Sequence, residues 1–167
     1  MTRILVTGAT GFLGKRICRH LAERGADFVP TSRRLGVDLR DPQATLALFE
    51  STRPDVVLNC AAHIGSIQFG ATYTGDIFLS NMQMLLSILE ASRRTGIRRL
   101  VNPISNCSYP DSQTIMREEQ WWDGPIHETV RSYGFTRRAT WVGCWAYARQ
   151  FGLDSINLIM SNMYGPD

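Results

Sequence analysis

From its first residues the chain alternates short apolar runs with longer segments of helical spacing. Arg3 to Thr7 is a β-rich run that stops at Gly8, and Phe12, Ile17 and Leu21 then recur at helical spacing, predicting a helix from Phe12 to Arg24 with Gly25 as its stop. Asp27 to Thr31 reads as a second strand, and Asp41-Pro42 supplies an N-cap and a first-turn proline for a short helix to about Ser51. Val56 to Cys60 is a third strand, Asp76 to Thr95 a long helix closed by Gly96, and Arg98 to Ile104 a fourth strand. A segment rich in turn residues, Ser105 to Val130, leads into a helix from Ser132 to Phe151, ended by Gly152, and a fifth strand from Ser155 to Met160. Strict alternation of strands and helices predicts an α/β, doubly wound parallel sheet of the Rossmann type, covered on both faces. Residues 1–167 read as one domain, without internal repeat, low-complexity tract or linker. The last residues, Tyr164-Gly165-Pro166-Asp167, directly follow a strand, where a doubly wound enzyme begins the segments that close over its substrate. A substrate-binding domain is therefore expected to be largely absent from this chain.

Composition narrows the function classes. Of 167 residues, 44% are hydrophobic and 20% charged, too apolar for a disordered chain and too interrupted by Arg, Asp and Gly for a membrane span. The net charge is +3, and the 18 basic residues are scattered, which suits a small anionic ligand better than nucleic acid. Lys15 is the only lysine among them, so a catalytic lysine has a single candidate. Cys18, Cys60, Cys107 and Cys144 are widely spaced, without a CxxC pair or a histidine at ligand spacing, pointing to neither a zinc site nor a disulfide framework. The opening MTRILVTG enters a strand at once and lacks the features of a signal peptide, so a cytoplasmic location is expected.

The candidate chemistry gathers at the carboxyl ends of the strands. Gly8-Ala9-Thr10-Gly11-Phe12-Leu13-Gly14 lies between a strand and a helix, the context in which a glycine pattern signals a dinucleotide. Gly8 permits the tight turn, Gly11 lets the backbone approach a pyrophosphate, and Gly14 allows the helix close to the sheet. At the end of the second strand an NAD site carries an acidic residue, but here Thr31-Ser32-Arg33-Arg34 stands in that place. Two guanidinium groups suit a 2′-phosphate, so NADP is expected, with NAD as the alternative. Tyr133 and Arg137 share one helix face, while Ser105 and Cys107 follow the fourth strand, together forming a candidate proton-transfer site.

The ordered motifs TGATGFLG (7–14), VDLRD (37–41), PDVVLNCAAHIGS (54–66), SNCSYP (105–110), SYGFTRR (132–138) and NMYGP (162–166) resemble the extended short-chain dehydrogenase/reductase family. Within it, they are most similar to the nucleotide-sugar epimerase/reductases of the GDP-L-fucose synthase type. The resemblance implies that Thr10, Phe12 and Leu13 join the glycines at the cofactor, that Asp38, beside Leu39, holds the adenine, and that Ala61 and Ala62 line pyrophosphate and ribose. It implies that Ser105 binds the sugar oxygen that changes oxidation state and that Tyr133 protonates it as hydride arrives. Cys107 matches the cysteine that moves a proton beside the ketone during epimerisation. The family's lysine is Arg137 here, which can hold ribose hydroxyls and favour the Tyr133 phenolate but cannot relay a proton. The family's second epimerisation acid/base is a histidine beyond the YGP motif, and His127 is a candidate substitute.

Trp121 and Trp122 can wall a sugar or anchor their loop to the core. Phe135, Trp141, Trp145 and Phe151, with Met82, Met84, Leu85 and Leu89 on the earlier long helix, exceed what one sheet-facing stripe needs, and the family commonly dimerises through these two helices. The expectation is an NADP-dependent oxidoreductase/isomerase acting on a nucleotide-linked 4-keto-6-deoxyhexose, with the isolated chain weakly active or inactive. The alternatives are a non-catalytic dinucleotide-binding protein and a nucleotide-sugar 4-epimerase or dehydratase.

Overall fold

The computed structural model describes residues 2–166. Five parallel strands, β1 (Ile4–Thr7), β2 (Phe28–Pro30), β3 (Val56–Asn59), β4 (Arg99–Ser105) and β5 (Ser155–Met160), lie in the order β2-β1-β3-β4-β5. The order reverses between β1 and β3, and ligands of doubly wound sheets bind outside the carboxyl ends of the strands at such a point. The helices are α1 (Phe12–Glu23), α2 (Pro42–Thr52), α3 (Ile67–Thr72), α4 (Thr74–Thr95) and α5 (Arg131–Phe151). The Asp41 carboxylate caps α2, accepting from the Gln43 and Ala44 N–H groups at 2.8 and 3.1 Å, with Pro42 in the first turn.

Helix α2, α4 and α5 pack side by side on one face. There Leu5, Val57 and Leu100 of the sheet meet Phe49, Leu85, Ile88, Leu89 and Cys144 in the main core. The expectation of cover on both faces is only partly met. Helix α1 packs over β1 and β2, but the same face of β4 and β5 is less covered: Val101 and Pro103 are half-buried, and Ile156 and Leu158 are 38% and 47% exposed. A right-handed crossover carries α1 to the β2 side, and among the described residues no helix follows β5.

Two local features differ from the sequence reading. Short α3 was not anticipated; Ser66 caps it by accepting from the Phe69 N–H at 3.2 Å. The segment after β4 is built from three tight turns, Asn106–Ser108, Glu118–Gln120 and Glu128–Val130, around a buried Trp121.

Candidate cofactor and active site

The glycine loop has the geometry its sequence requires. Gly8 adopts φ +63°, and a Cβ there would sit 2.5 Å from the Cys60 carbonyl oxygen; one at Gly14 would sit 2.2 Å from that of Gly8. Gly11 caps α1 without a side-chain hydrogen bond, and the first turn holds no acidic residue, so the helix N-terminus keeps its attraction for an anion. The Thr10 hydroxyl donates to the Ser32 hydroxyl at 3.1 Å, tying this loop to the end of β2.

A groove of about 240 Å³ runs from Gly8, Thr10 and Gly11 past Arg33 and Arg34 to Asp38 and Leu39, with Ala61 and Ala62 on its other wall. Those expected cofactor residues are brought together. Phe12, Leu13 and Gly14 do not line the groove: Gly14 is buried in the α1 packing, and the Phe12 ring lies under the Arg16 guanidinium at 3.9 Å. Arg40 also lines the groove and was not anticipated; its guanidinium forks onto Asp38, with Nε donating to the two carboxylate oxygens at 2.9 and 3.1 Å. The Arg40 hydrogen bond holds the Asp38 carboxyl down at about 2.

Beneath the groove a buried polar ladder crosses four strands. The Thr7 hydroxyl donates to Asn59 at 2.9 Å, the Asn59 amide to Asn102 at 3.0 Å, and the Asn102 amide to Asn157 at 3.1 Å. The Ala61 N–H donates to the Thr7 hydroxyl at 3.3 Å, joining the groove wall to this ladder. Satisfied networks of this kind fix strand register under a site.

The second cavity, about 350 Å³, is lined by Ser105, Cys107 and Tyr133 together with Asn106, Ser132 and Asn162. Ser105 and Cys107 are in contact, with 2.8 Å between Oγ and Sγ. Helix α5 comes so close to their turn that a Cβ at Gly134 would lie 2.5 Å from the Cys107 carbonyl oxygen. Burial pushes the Cys107 thiol up, against the opposing pull of the Ser105 hydroxyl and the Arg137 charge. Burial likewise raises Tyr133, with Arg137 lowering it. Without ligand, the surroundings therefore hold both groups protonated at neutral pH, rather than favouring thiolate or phenolate.

Arg137 lines neither cavity. It is 6% exposed, lies 4.8 Å from the centre of the Tyr133 ring, and donates through Nη2 to Asn81 at 3.0 Å. Asn81 was missed by the sequence reading, although an amide in the stripe Ile77, Asn81, Leu85, Ile88 is a legible oddity. It accepts from the His63 N–H at 3.1 Å and donates to the His63 carbonyl at 2.8 Å, so it also pins the segment after β3.

His127 is not among the residues lining the second cavity; it is half-exposed and paired with the Thr129 hydroxyl at 2.8 Å. Trp121 anchors the loop, donating its indole N–H to Ser108 at 2.8 Å, and Trp122 packs edge-on against Trp121 and Trp141. Neither tryptophan lines the sugar-sized cavity. On the long helices Leu85 and Leu89 are core residues and Met82 and Met84 pack against them, whereas Phe135 and Trp145 are about half exposed at 51% and 52%.

The GDP-L-fucose synthase of Sinorhizobium fredii is 30% identical over 165 residues, covering 98% of this chain and 52% of that protein. The solved GDP-L-fucose synthetase from Naegleria fowleri bound to NADP superposes with a TM-score of 0.85 at 27% identity, covering 99% of this chain and 55% of that one. A GDP-D-glycero-L-gluco-heptose synthase from Campylobacter jejuni, solved in the presence of NADPH, shares the fold with a TM-score of 0.91 at 24% identity, over 98% of this chain and 48% of that one. The chain spans about half the length of the curated relatives it matches. Residues 4–167 match the NAD dependent epimerase/dehydratase family, and the chain belongs to that family.

Proposed function

We propose that this chain is the cofactor-binding domain of an NADP(H)-dependent nucleotide-sugar epimerase/reductase acting on a nucleotide-linked 4-keto-6-deoxyhexose. The observation that carries the reading is the grouping of Ser105, Cys107 and Tyr133 around one cavity, at the same sheet edge as a glycine-lined groove flanked by Arg33 and Arg34. The residues present fit the cofactor: the free N–H groups at the start of α1 would hold the pyrophosphate, and the Arg33 and Arg34 guanidinium groups would hold the 2′-phosphate. A nicotinamide held in this groove would supply the hydride.

Tyr133, kept protonated by burial, gives its proton to the sugar C4 oxygen, and the Ser105 hydroxyl holds that oxygen. Arg137 acts through Tyr133, stabilising the phenolate left behind, because its guanidinium lies against the Tyr133 ring, donates through Nη2 to Asn81 and lines neither cavity. Cys107, once its own proton has left to solvent, takes as thiolate the proton on the carbon beside the ketone, which the carbonyl makes acidic, and returns a proton to that carbon; without ligand, burial keeps the thiolate fraction small. Ile64, Ile67, Ile77 and Val130 supply an apolar wall for the methyl group of a 6-deoxy sugar. A second reading, a non-catalytic dinucleotide-binding protein, draws on Arg137 standing where the family carries lysine.

The same reading extends to assembly and location. Phe78, Leu79 and Leu86 on α4 and Phe135, Val142 and Trp145 on α5 are exposed and suit a homodimer interface. Four free cysteines fit a reducing cytoplasm, and among the described residues no helix is long and apolar enough to cross a membrane.

The test is solvent exchange with GDP-4-keto-6-deoxymannose in deuterated water. Exchange needs only a base that removes one proton and returns another, so it reads Cys107 without requiring full turnover. Wild-type protein is expected to place deuterium on a carbon flanking the ketone, and Cys107→Ser to lose most of that exchange while still binding NADPH. Exchange undiminished in Cys107→Ser, or absent from wild type, contradicts the proposal.

A further inference from the structure

Arg138 follows the family's lysine position and has no counterpart role among the site residues described above. It is 8% exposed and has no carboxylate partner among the described residues. A buried guanidinium without an anion is costly unless its N–H groups are satisfied by other acceptors. Here they are satisfied by three backbone carbonyls: Nε donates to Ser108 at 2.8 Å, Nη1 to Gly124 at 3.1 Å and Nη2 to Trp121 at 2.6 Å. The guanidinium carbon also lies 5.2 Å from the centre of the Trp122 ring.

These carbonyls belong to two separate stretches of the loop that follows β4, one at Ser108 near its start and one at Trp121 and Gly124 in its second half. Ser108 is a junction within it: its hydroxyl accepts the Trp121 indole N–H and donates to the Ser105 carbonyl at 2.6 Å. The path from Arg138 through Ser108 thus ends on the turn that carries Ser105 and Cys107. Gly134, one helical turn before Arg138, lets α5 touch the Cys107 carbonyl directly. We infer that Arg138 is a positioning residue that clamps the 105–108 turn to α5 and so sets the place and exposure of the Cys107 thiol.

The inference rests on the reading of Cys107 as the proton-moving group, but its test needs no substrate. The groups acting on the thiol are Ser105 on its own turn and Tyr133 and Arg137 from α5. Burial is what raises the thiol, so releasing the turn lets it ionise nearer an ordinary cysteine.

The experiment is alkylation of the protein with iodoacetamide across about pH 6–10, followed peptide by peptide with mass spectrometry. Cys144, 1% exposed on α5, is the internal reference for general loosening of the fold. In Arg138→Met, Cys107 is expected to react about tenfold faster with a lower pH midpoint while Cys144 stays protected, as loss of one charge-assisted bond network would give. Arg138→Lys is expected to fall between, since an ammonium donates to carbonyls but lacks the planar fork. Cys107 unchanged in rate and midpoint, or Cys107 and Cys144 rising together, overturns the inference. Should Arg138→Met not fold, Trp121→Phe keeps the backbone carbonyl that Arg138 holds while removing the indole donor to Ser108 and part of the buried ring, with Cys144 again the control for general loosening. It is expected to raise Cys107 reactivity by about threefold, and no change there overturns the inference equally. Failure of the functional reading shows separately, as absence of deuterium exchange in the wild-type protein.

Discussion

Asn81→Leu tests whether the second cavity and the groove are held in register by one buried amide. Asn81 is 1% exposed and makes four hydrogen bonds: from the His63 N–H at 3.1 Å and Arg137 Nη2 at 3.0 Å, and to the His63 and Ile77 carbonyls at 2.8 and 2.7 Å. Leucine fills much the same space but leaves the His63 N–H, the His63 carbonyl and one face of the Arg137 guanidinium unpaired. Each such group costs about 1–3 kcal/mol when it stays buried. The Ile77 carbonyl sits within α4 and loses only an additional donor. Burying leucine returns about 1.5–3 kcal/mol, and partial access of water to half-buried His63 lowers the penalty further. The net loss is expected to be about 2–4 kcal/mol. Asn81→Asp keeps both acceptor bonds and gains a charge beside Arg137, but sets a carboxylate oxygen against the His63 and Ile77 carbonyls where the amide donated, so it is expected to lose a similar amount, about 2–4 kcal/mol. Urea unfolding followed by the fluorescence of the four tryptophans, with an unchanged m-value, reads these differences. A loss under about 1 kcal/mol for either variant would refute the reasoning.

Asp38, held at about 2 by Arg40, has a folded pKa below its unfolded value, so its contribution to stability is complete above about pH 5 and is lost as pH falls toward 2. Asp38→Asn is expected to flatten that part of the stability curve, and an unchanged acid limb contradicts the assignment. Arg137→Met is expected to raise the pH at which Tyr133 ionises and, in the full-length protein that the proposed function implies, to lower reduction of nucleotide sugar, while Arg137→Lys keeps the charge and retains or raises it. Ring-labelled tyrosine NMR reads the first effect, and an unmoved Tyr133 titration in Arg137→Met contradicts it. Asn102→Leu strands the Asn59 amide and the Asn157 carbonyl in the buried ladder and is expected to cost about 2–4 kcal/mol in urea unfolding. A cost near zero would mean that the ladder is not needed for stability.

The strand-and-helix order was legible because each element carries its own punctuation: Gly8 and Gly25 around α1, Asp41-Pro42 before α2, Gly96 and Gly152 after the two long helices. The residues at the strand ends were equally legible, since in a parallel sheet every carboxyl end faces the same edge. What the sequence did not disclose were the supports reached through long side chains. Arg137 and Arg138 are neighbours on α5 and Arg40 stands just before α2, yet Arg40 forks onto a carboxylate in the groove, Arg137 stacks on a tyrosine and Arg138 is buried against three carbonyls. Arginine is usually solvated, and only the packing of α5 against the loop after β4 decides which guanidinium is enclosed. On the face that carries α1, cover stops short of β4 and β5 because the right-handed crossover takes α1 to the β2 side and, among the described residues, no helix follows β5.

The most direct test of the proposed function is calorimetric titration of this chain with NADPH and NADH. The Arg33 and Arg34 wall predicts tighter binding of NADPH, with each guanidinium contact to the 2′-phosphate contributing about 1.5–3 kcal/mol, and loss of the preference in the Arg33→Ala, Arg34→Ala double variant. Equal affinity for the two cofactors, tighter binding of NADH, or no binding of either would contradict the account.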